Sequence, residues 1–214
     1  MGATRRTFKA VSSNPIFSLS FLHILNDGWL ASLPLLLPFI QKDLRIEFGQ
    51  IGLLTSILSV AGVVLAIPAA SISKRFGGFR ILVCAAAIYS CAFILTGFSS
   101  GFLFLALSFI LASVGFGIFH PVSFALIAHV GAPERLGAQM GSFTAVGDIG
   151  RIGVAACVTL LVSWLNWRNA AIIFGCIPLV FVFAMPTLVA FTMRSAWSAT
   201  RSVERSSLEP QAKP

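Results

Sequence analysis

Six residues that can carry charge or polar hydrogen bonds interrupt long apolar stretches of this sequence. They are His23, Asn26 and Asp27 in one stretch, His120 in another, and Asp148 and Arg151 in a third. Within a membrane, a charged side chain costs about 2.5–3.5 kcal/mol at a helix centre on insertion scales, so it needs a partner or a wet cavity. These residues are therefore the candidates for a substrate or proton path.

The first group has a spacing that favours proton chemistry. His23 and Asp27 are four residues apart and share one face of a helix, with Asn26 beside them. Histidine changes charge near neutral pH, so we expect Asp27, His23 and His120 to bind and release a proton during transport. In the alternative interpretation, Asn26 and Asp27 cap or kink the helix, His23 bonds to a backbone carbonyl, and Pro121 bends its helix.

Asp148 and Arg151 lie three residues apart and can neutralise each other on one helix face. Three roles are open: Arg151 holds an anionic substrate, Asp148 takes part in proton coupling, or the pair forms a structural salt bridge to a second half or to Asp27. Small residues nearby permit bending or close helix packing. With Pro121, these are Gly147, Gly150 and Gly153, and, beside His120, Gly115 and Gly117.

The elements that position these residues are apolar segments, because 57% of the chain is hydrophobic and only 10% is charged. About 18–20 apolar residues are enough for a helix to cross a bilayer, and the segments lack the alternation of a membrane barrel. The sequence therefore predicts an all-α integral membrane protein with six transmembrane helices. Their predicted ranges are Pro15–Ile40, Ile51–Ile72, Ile81–Phe98, Phe102–Val130, Gly137–Trp164 and Ala170–Met193.

Charge sets the expected orientation. Most Lys and Arg residues fall on the side that carries both chain ends, so we expect residues 1–14 to be a cytoplasmic segment, 15–193 the helical bundle and 194–214 a disordered cytoplasmic tail. The location expected is the inner (plasma) membrane. The net charge of +8 is spread over loops and tails, so no nucleic-acid partner is expected.

The sequence also argues against an enzyme. It contains no H-E-x-x-H, no G-x-S-x-G and no Walker loop, so no cofactor, metal or catalytic residue is expected. The four cysteines fall within apolar segments and are interpreted as packing residues. Trp164 and Trp167, with Arg168, are interpreted as anchors at the outer membrane surface.

Two stretches, "HILNDGWLASLPLLLPFI" and "GFGIFHPVSFALIAH", resemble the first and fourth helices of the fosmidomycin-resistance branch of the major facilitator superfamily. The resemblance covers nearly everything from His23 to Met193 and matches the N-terminal six-helix half of such transporters. It implies a proton-coupled secondary transporter that exports a small organic compound. In that arrangement helices one and four line the central cavity and helix five lies at the interface with the other half.

Departures from the family pattern qualify this expectation. The cytoplasmic loop "ASISKRFGGFR" keeps Arg75 and Gly77 of the family's gate signature, but Lys74 replaces its aspartate. Leu111 stands where an arginine is common in the fourth helix. Because family members usually have two halves, we expect a homodimer or a pairing with a second six-helix half. The alternative is a half-transporter that carries nothing itself and needs a partner membrane protein.

Overall fold

The computed structural model describes residues 15–183 of the 214. Those residues form helices and no strand, as the apolar segments predict. The helices are α1 (Pro15–Leu44), α2 (Phe48–Phe76), α3 (Gly78–Gly97), α4 (Phe102–Val130), α5 (Leu136–Trp164) and α6 (Trp167–Phe183), with a 3₁₀ turn at Pro133–Arg135 before α5. The predicted segment 1–14, the tail 194–214 and the end of the last predicted span lie outside the described residues.

Four of these helices, α2 to α5, are long and apolar enough to cross a membrane by length and composition. The first helix is not among the four, although it is 30 residues long. It contains His23, Asn26 and Asp27, which lower its hydropathy. The described part of α6 is shorter. A total of six membrane spans therefore stays a prediction.

Two tight connections keep neighbouring helices antiparallel. Gly77 alone separates α2 from α3, and its φ of +88° lies in the left-handed region where a side chain would be strained. Between α4 and α5 the chain turns through Gly131 and the 3₁₀ turn, where Pro133 occupies the first helical position. These short connections hold the ends of consecutive helices together, although α2 touches α3 and α4 touches α5 over only small areas.

The helices pack in two groups. In one group α1 lies mainly against α5, and in the other α4 lies against α2 and α3, while α1 touches α4 over a much smaller area. The last helix contacts both groups. Its Gly175 lies against Ile94 of α3, and its Phe174 packs on Trp29 of α1.

The outer faces of the bundle are uneven in composition. The buried stripe of α5 runs through Phe143, Gly147, Gly150, Val158 and Val162, at spacings of three, four and eight residues that keep them on one helix face. Asp148 and Arg151 lie along one edge of this stripe and are about half exposed, and Ile149 and Ile152 beside them are exposed. The cysteines also point outward, so their interpretation as packing residues was wrong. They are Cys84, Cys91, Cys157 and Cys176.

Candidate functional site

Asp27 is the centre of a polar cluster buried between helices. Its side chain is 1% exposed and is reached by residues of α1, α4 and α5. Oδ2 lies 3.2 Å from His23 Nε2 and 2.7 Å from the Arg151 guanidinium. Oδ1 lies 3.2 Å from His120 Nε2 and accepts a hydrogen bond from Asn26 Nδ2 at 3.0 Å. We call these five residues the Asp27 cluster.

His23 is fixed in orientation by α5. Its Nδ1 donates a hydrogen bond to the Phe143 carbonyl oxygen at 2.8 Å, and its ring stacks on the Phe143 ring with centroids 4.1 Å apart. A Cβ on Gly147 would lie 2.5–2.8 Å from the imidazole, so only glycine leaves room for this ring. Because a carbonyl can only accept, Nδ1 carries a hydrogen and Nε2 is the atom directed at Asp27.

His120 joins the cluster from α4 and also reaches an open groove. Its Nε2 lies 3.1 Å from His23 Nε2, and about a third of its side chain is exposed. The groove, about 710 Å³ in volume, lies between α1, α2 and α4, and apolar residues such as Leu30, Val63 and Phe116 dominate its lining. His120 therefore connects a buried charged cluster with a largely apolar space.

Arg151 lies between two carboxylates. In addition to its contact with Asp27, its guanidinium donates a hydrogen bond to Asp148 Oδ1 at 3.1 Å. Both α5 side chains are about half exposed. The pairing of Arg151 with Asp148 and its contact with Asp27 are among the arrangements that the sequence left open. A charged face in the middle of a membrane-spanning helix has to meet protein or water, because lipid would leave it unsolvated.

Asn26 has an unused polar atom. The side chain is fully buried, and its amide nitrogen must face Asp27 because the carboxylate only accepts. Its Oδ1 has no hydrogen-bond partner among residues 15–183. A buried acceptor of this kind calls for a donor from water or a bound molecule.

The model of one protein family matches residues 16–210, nearly the whole chain. The chain belongs to the major facilitator superfamily. It is accordingly an integral membrane protein with a transporter fold and is not an enzyme. A search of curated proteins found no match.

Solved structures of superfamily members support the fold. A bacterial homologue of the human lysosomal transporter Spinster, inward-facing and unoccupied, matches with a TM-score of 0.70 and 18% identity, covering 81% of this chain and 42% of that chain. The same homologue in an occupied inward-facing state gives a TM-score of 0.65 and 17% identity, covering 81% and 43%. This chain thus spans less than half the length of these transporters.

The residues of the superfamily's gate signature lie at the end of α2. Lys74 and Arg75 occupy its last turn, both exposed, and Gly77 follows in the turn already described. Arg75 lies over the ring of Phe76, 5.3 Å from its centroid. None of the described residues 15–183 forms an ion pair with either basic side chain. Their role as a gate stays a prediction.

Most of the glycines selected from the sequence lie at helix crossings. A Cβ on Gly150 would meet the backbone of Ile24 in α1. In α4, a Cβ on Gly115 would lie 2.7 Å from Ala85 O of α3. A Cβ on Gly117 would lie 2.7 Å from Gly62 of α2. Gly153 differs, since no described residue lies within 4 Å of its Cβ position. Pro121 lies within a continuous α4 and lines the groove.

Sequence reasoning missed a second polar group, at the C-terminal end of α1. Asp43 Oδ2 accepts hydrogen bonds from Trp167 Nε1 and from the Arg168 guanidinium, each at 3.1 Å. Arg168 also donates to the carbonyls of Gly97 and Ser99 at 3.3 and 2.6 Å. We call this group the outer latch, after the membrane side on which the sequence predicts it. Trp167 is buried in it, so the interpretation of Trp167 as a membrane anchor was wrong, whereas Trp164 is 85% exposed.

Proposed function

We propose that this protein is one half of a proton-coupled secondary active transporter that exports a small organic compound, and that two copies assemble into the working unit. Within the superfamily we place it in the fosmidomycin-resistance branch, on the resemblance of its first and fourth helices. We further propose that it resides in the inner membrane with both chain ends in the cytoplasm, including the segment 1–14 and the tail 194–214 beside the bundle 15–193. The basic residues near the ends of the spans support this orientation.

The observation that carries the proposal is the convergence on Asp27 of side chains from three helices. A buried carboxylate with two imidazoles and a guanidinium at 2.7–3.2 Å can exchange one positive partner for another. Proton uptake at Asp27 or at a histidine would weaken the contact with Arg151, and Asp148 is already in position to hold the released guanidinium. This exchange would couple proton movement to the packing of α1, α4 and α5.

Assembly of two copies is supported by the exposed charged face of α5. Asp148 and Arg151 are about half exposed, and the groove beside His120 is open. A second six-helix half, with its own cluster facing the first, would cover both features. Parallel repeats of this kind form the two halves of superfamily transporters.

A second candidate function agrees with the same exposed face. The chain would then be a half-transporter that transports nothing itself and pairs with a different membrane protein. Lys74, which replaces the usual acidic gate residue, favours this candidate. In both cases the charged side of α5 is the contact surface.

One experiment separates the two candidates. The purified chain is placed in nanodiscs for native mass spectrometry and in liposomes that enclose a pH-sensitive dye. We expect two copies per disc, together with dye responses when members of a panel of small organic compounds are added under a pH gradient. One copy per disc and no response across the panel would favour the half-transporter that needs a partner.

A further inference from the structure

The nitrogen and oxygen atoms at the centre of the Asp27 cluster are spaced like ligands of a metal ion. His23 Nε2 and His120 Nε2 are 3.1 Å apart, and each lies 3.2 Å from an oxygen of Asp27, Oδ2 for His23 and Oδ1 for His120. For metal–ligand distances of about 2.0–2.1 Å, neighbouring ligand atoms of a tetrahedral site are about 3.3 Å apart. These two nitrogens and the carboxylate therefore need little adjustment to accept an ion.

The chemistry of these atoms also calls for a cation between them. Nδ1 of His23 donates to the Phe143 carbonyl, so in the neutral ring Nε2 presents a lone pair to the Asp27 carboxylate. A hydrogen bond from the second ring nitrogen to a backbone carbonyl is also the usual support for a metal-binding histidine. Lone pairs of imidazole and carboxylate that face each other repel unless a proton or a metal cation lies between them.

We propose that His23, Asp27 and His120 form a binding site for a divalent transition-metal cation of the zinc class. Two imidazoles and one carboxylate suit Zn²⁺, Co²⁺ or Ni²⁺, whereas Mg²⁺ and Ca²⁺ prefer oxygen ligands throughout. No metal was expected from the sequence, because the ligands come from two helices and form no contiguous motif. This inference goes beyond the proposed function, since binding does not depend on proton-driven transport.

Arg151 is the charge that opposes such an ion. Its guanidinium contacts Oδ2 of Asp27, whereas Oδ1 faces His120 and Asn26. The half-exposed side chain can withdraw toward Asp148, with which it is already paired at 3.1 Å. Removal of Arg151 should therefore tighten metal binding. If the Arg151–Asp27 pair served only to hold α1 and α5 together, removal of Arg151 would not tighten metal binding.

The groove offers the ion a path to the site. His120 is the ligand with an exposed edge, and it lies in the groove lining, whereas His23 and Asp27 are almost completely buried. An ion would therefore meet His120 first. The matched control is His129, a histidine of the same helix that lies exposed in its last turn, outside the cluster.

Cobalt titration of the tag-free, chelator-treated full chain in detergent tests the site. We expect one Co²⁺ per chain, a visible absorption band typical of low coordination number, and displacement by Zn²⁺. His120→Gln should weaken binding by at least about 10- to 100-fold, the range seen when even an outer-shell partner is lost. His129→Gln should leave binding unchanged, and Arg151→Gln should tighten it.

Two results would overturn the metal site. One is the absence of a saturable cobalt band in the native chain, a measurement that needs no variant to fold. The other is an equal loss of binding in His120→Gln and His129→Gln, which would indicate that cobalt binds to surface histidines and not to the cluster. Transport by the metal-stripped protein under a pH gradient tests the proposed function separately, so the failure of either proposal is distinguishable from failure of the other.

Discussion

The middle and the C-terminal end of α1 each hold an aspartate paired with an arginine from a later helix, yet the two sites are built differently. In the Asp27 cluster the carboxylate is 1% exposed and the Arg151 side chain is 50% exposed. In the outer latch Asp43 is 50% exposed and Arg168 is 35% exposed. In the cluster, therefore, the aspartate is buried and only the arginine is exposed. In the outer latch both side chains are partly exposed.

The partners of each arginine explain what the difference means. Arg151 has two carboxylates to choose between, and Asp27 has two histidines besides the arginine. Arg168 has one carboxylate and two backbone carbonyls, which cannot change their charge. A site with alternative partners can switch, whereas a site with fixed acceptors holds helices in place. We interpret the cluster as the working site and the latch as a structural clamp.

The largest expected effect separates the two aspartates. Asp27→Asn preserves the shape of the side chain but removes its charge, so we expect proton-driven transport to fall to the level of empty liposomes. Asp43→Asn should keep most of the transport, because an amide oxygen can still accept from Trp167 and Arg168. The measurement is dye-reported proton movement with both variants at equal protein content. Equal loss in both variants would contradict the comparison.

A smaller effect is expected where α5 crosses α1 beside the cluster. Gly150→Ala puts a methyl group against the Ile24 backbone, and such overpacking costs about 1–3 kcal/mol. Gly153→Ala, three residues on, meets open space among the described residues, and the helix preference for alanine should offset any cost. Denaturant unfolding in detergent measures both. A Gly150→Ala chain as stable as Gly153→Ala would argue against the close crossing.

The smallest effect belongs to the latch. Arg168→Ala removes hydrogen bonds to Asp43, Gly97 and Ser99, and partial exposure limits the expected loss of unfolding free energy to about 1–2 kcal/mol. Transport should continue, because no atom of the latch belongs to the Asp27 cluster. Thermal unfolding in detergent and the liposome assay give the two readings. Abolished transport in a folded Arg168→Ala chain would make the latch part of the mechanism.

The sequence predicted the helices well because membrane insertion imposes long apolar segments. The predicted range Phe102–Val130 is the observed α4, and Gly137–Trp164 differs from α5 by one residue. The residues of the Asp27 cluster were also recognisable, since ionisable groups are rare in such segments. Their pairing was recognisable in part, because spacing along one helix indicates His23 with Asp27 and Asp148 with Arg151. The contact of Arg151 with Asp27 was only one of several open roles, since it depends on how α5 crosses α1.

The residues that sequence reasoning missed act through backbone atoms or through distant helices. Phe143 supplies a carbonyl to His23, and a carbonyl leaves no trace in residue type. Its position four residues before Gly147, on the same face of α5, was the available signal. Asp43 and Arg168 are separated by 125 residues, and only the tertiary fold brings them together.

The small contact between α1 and α4 gives the cluster a mechanical meaning. Two groups of helices, α1 with α5 and α4 with α2 and α3, meet over a small area between α1 and α4. His120 of α4 contacts His23 and Asp27 of α1, so these three side chains connect the two groups of helices. A proton or ion bound between these side chains would determine how rigidly the two groups of helices move together. The groups would slide past each other most easily when the contacts of His120 with His23 and Asp27 are broken.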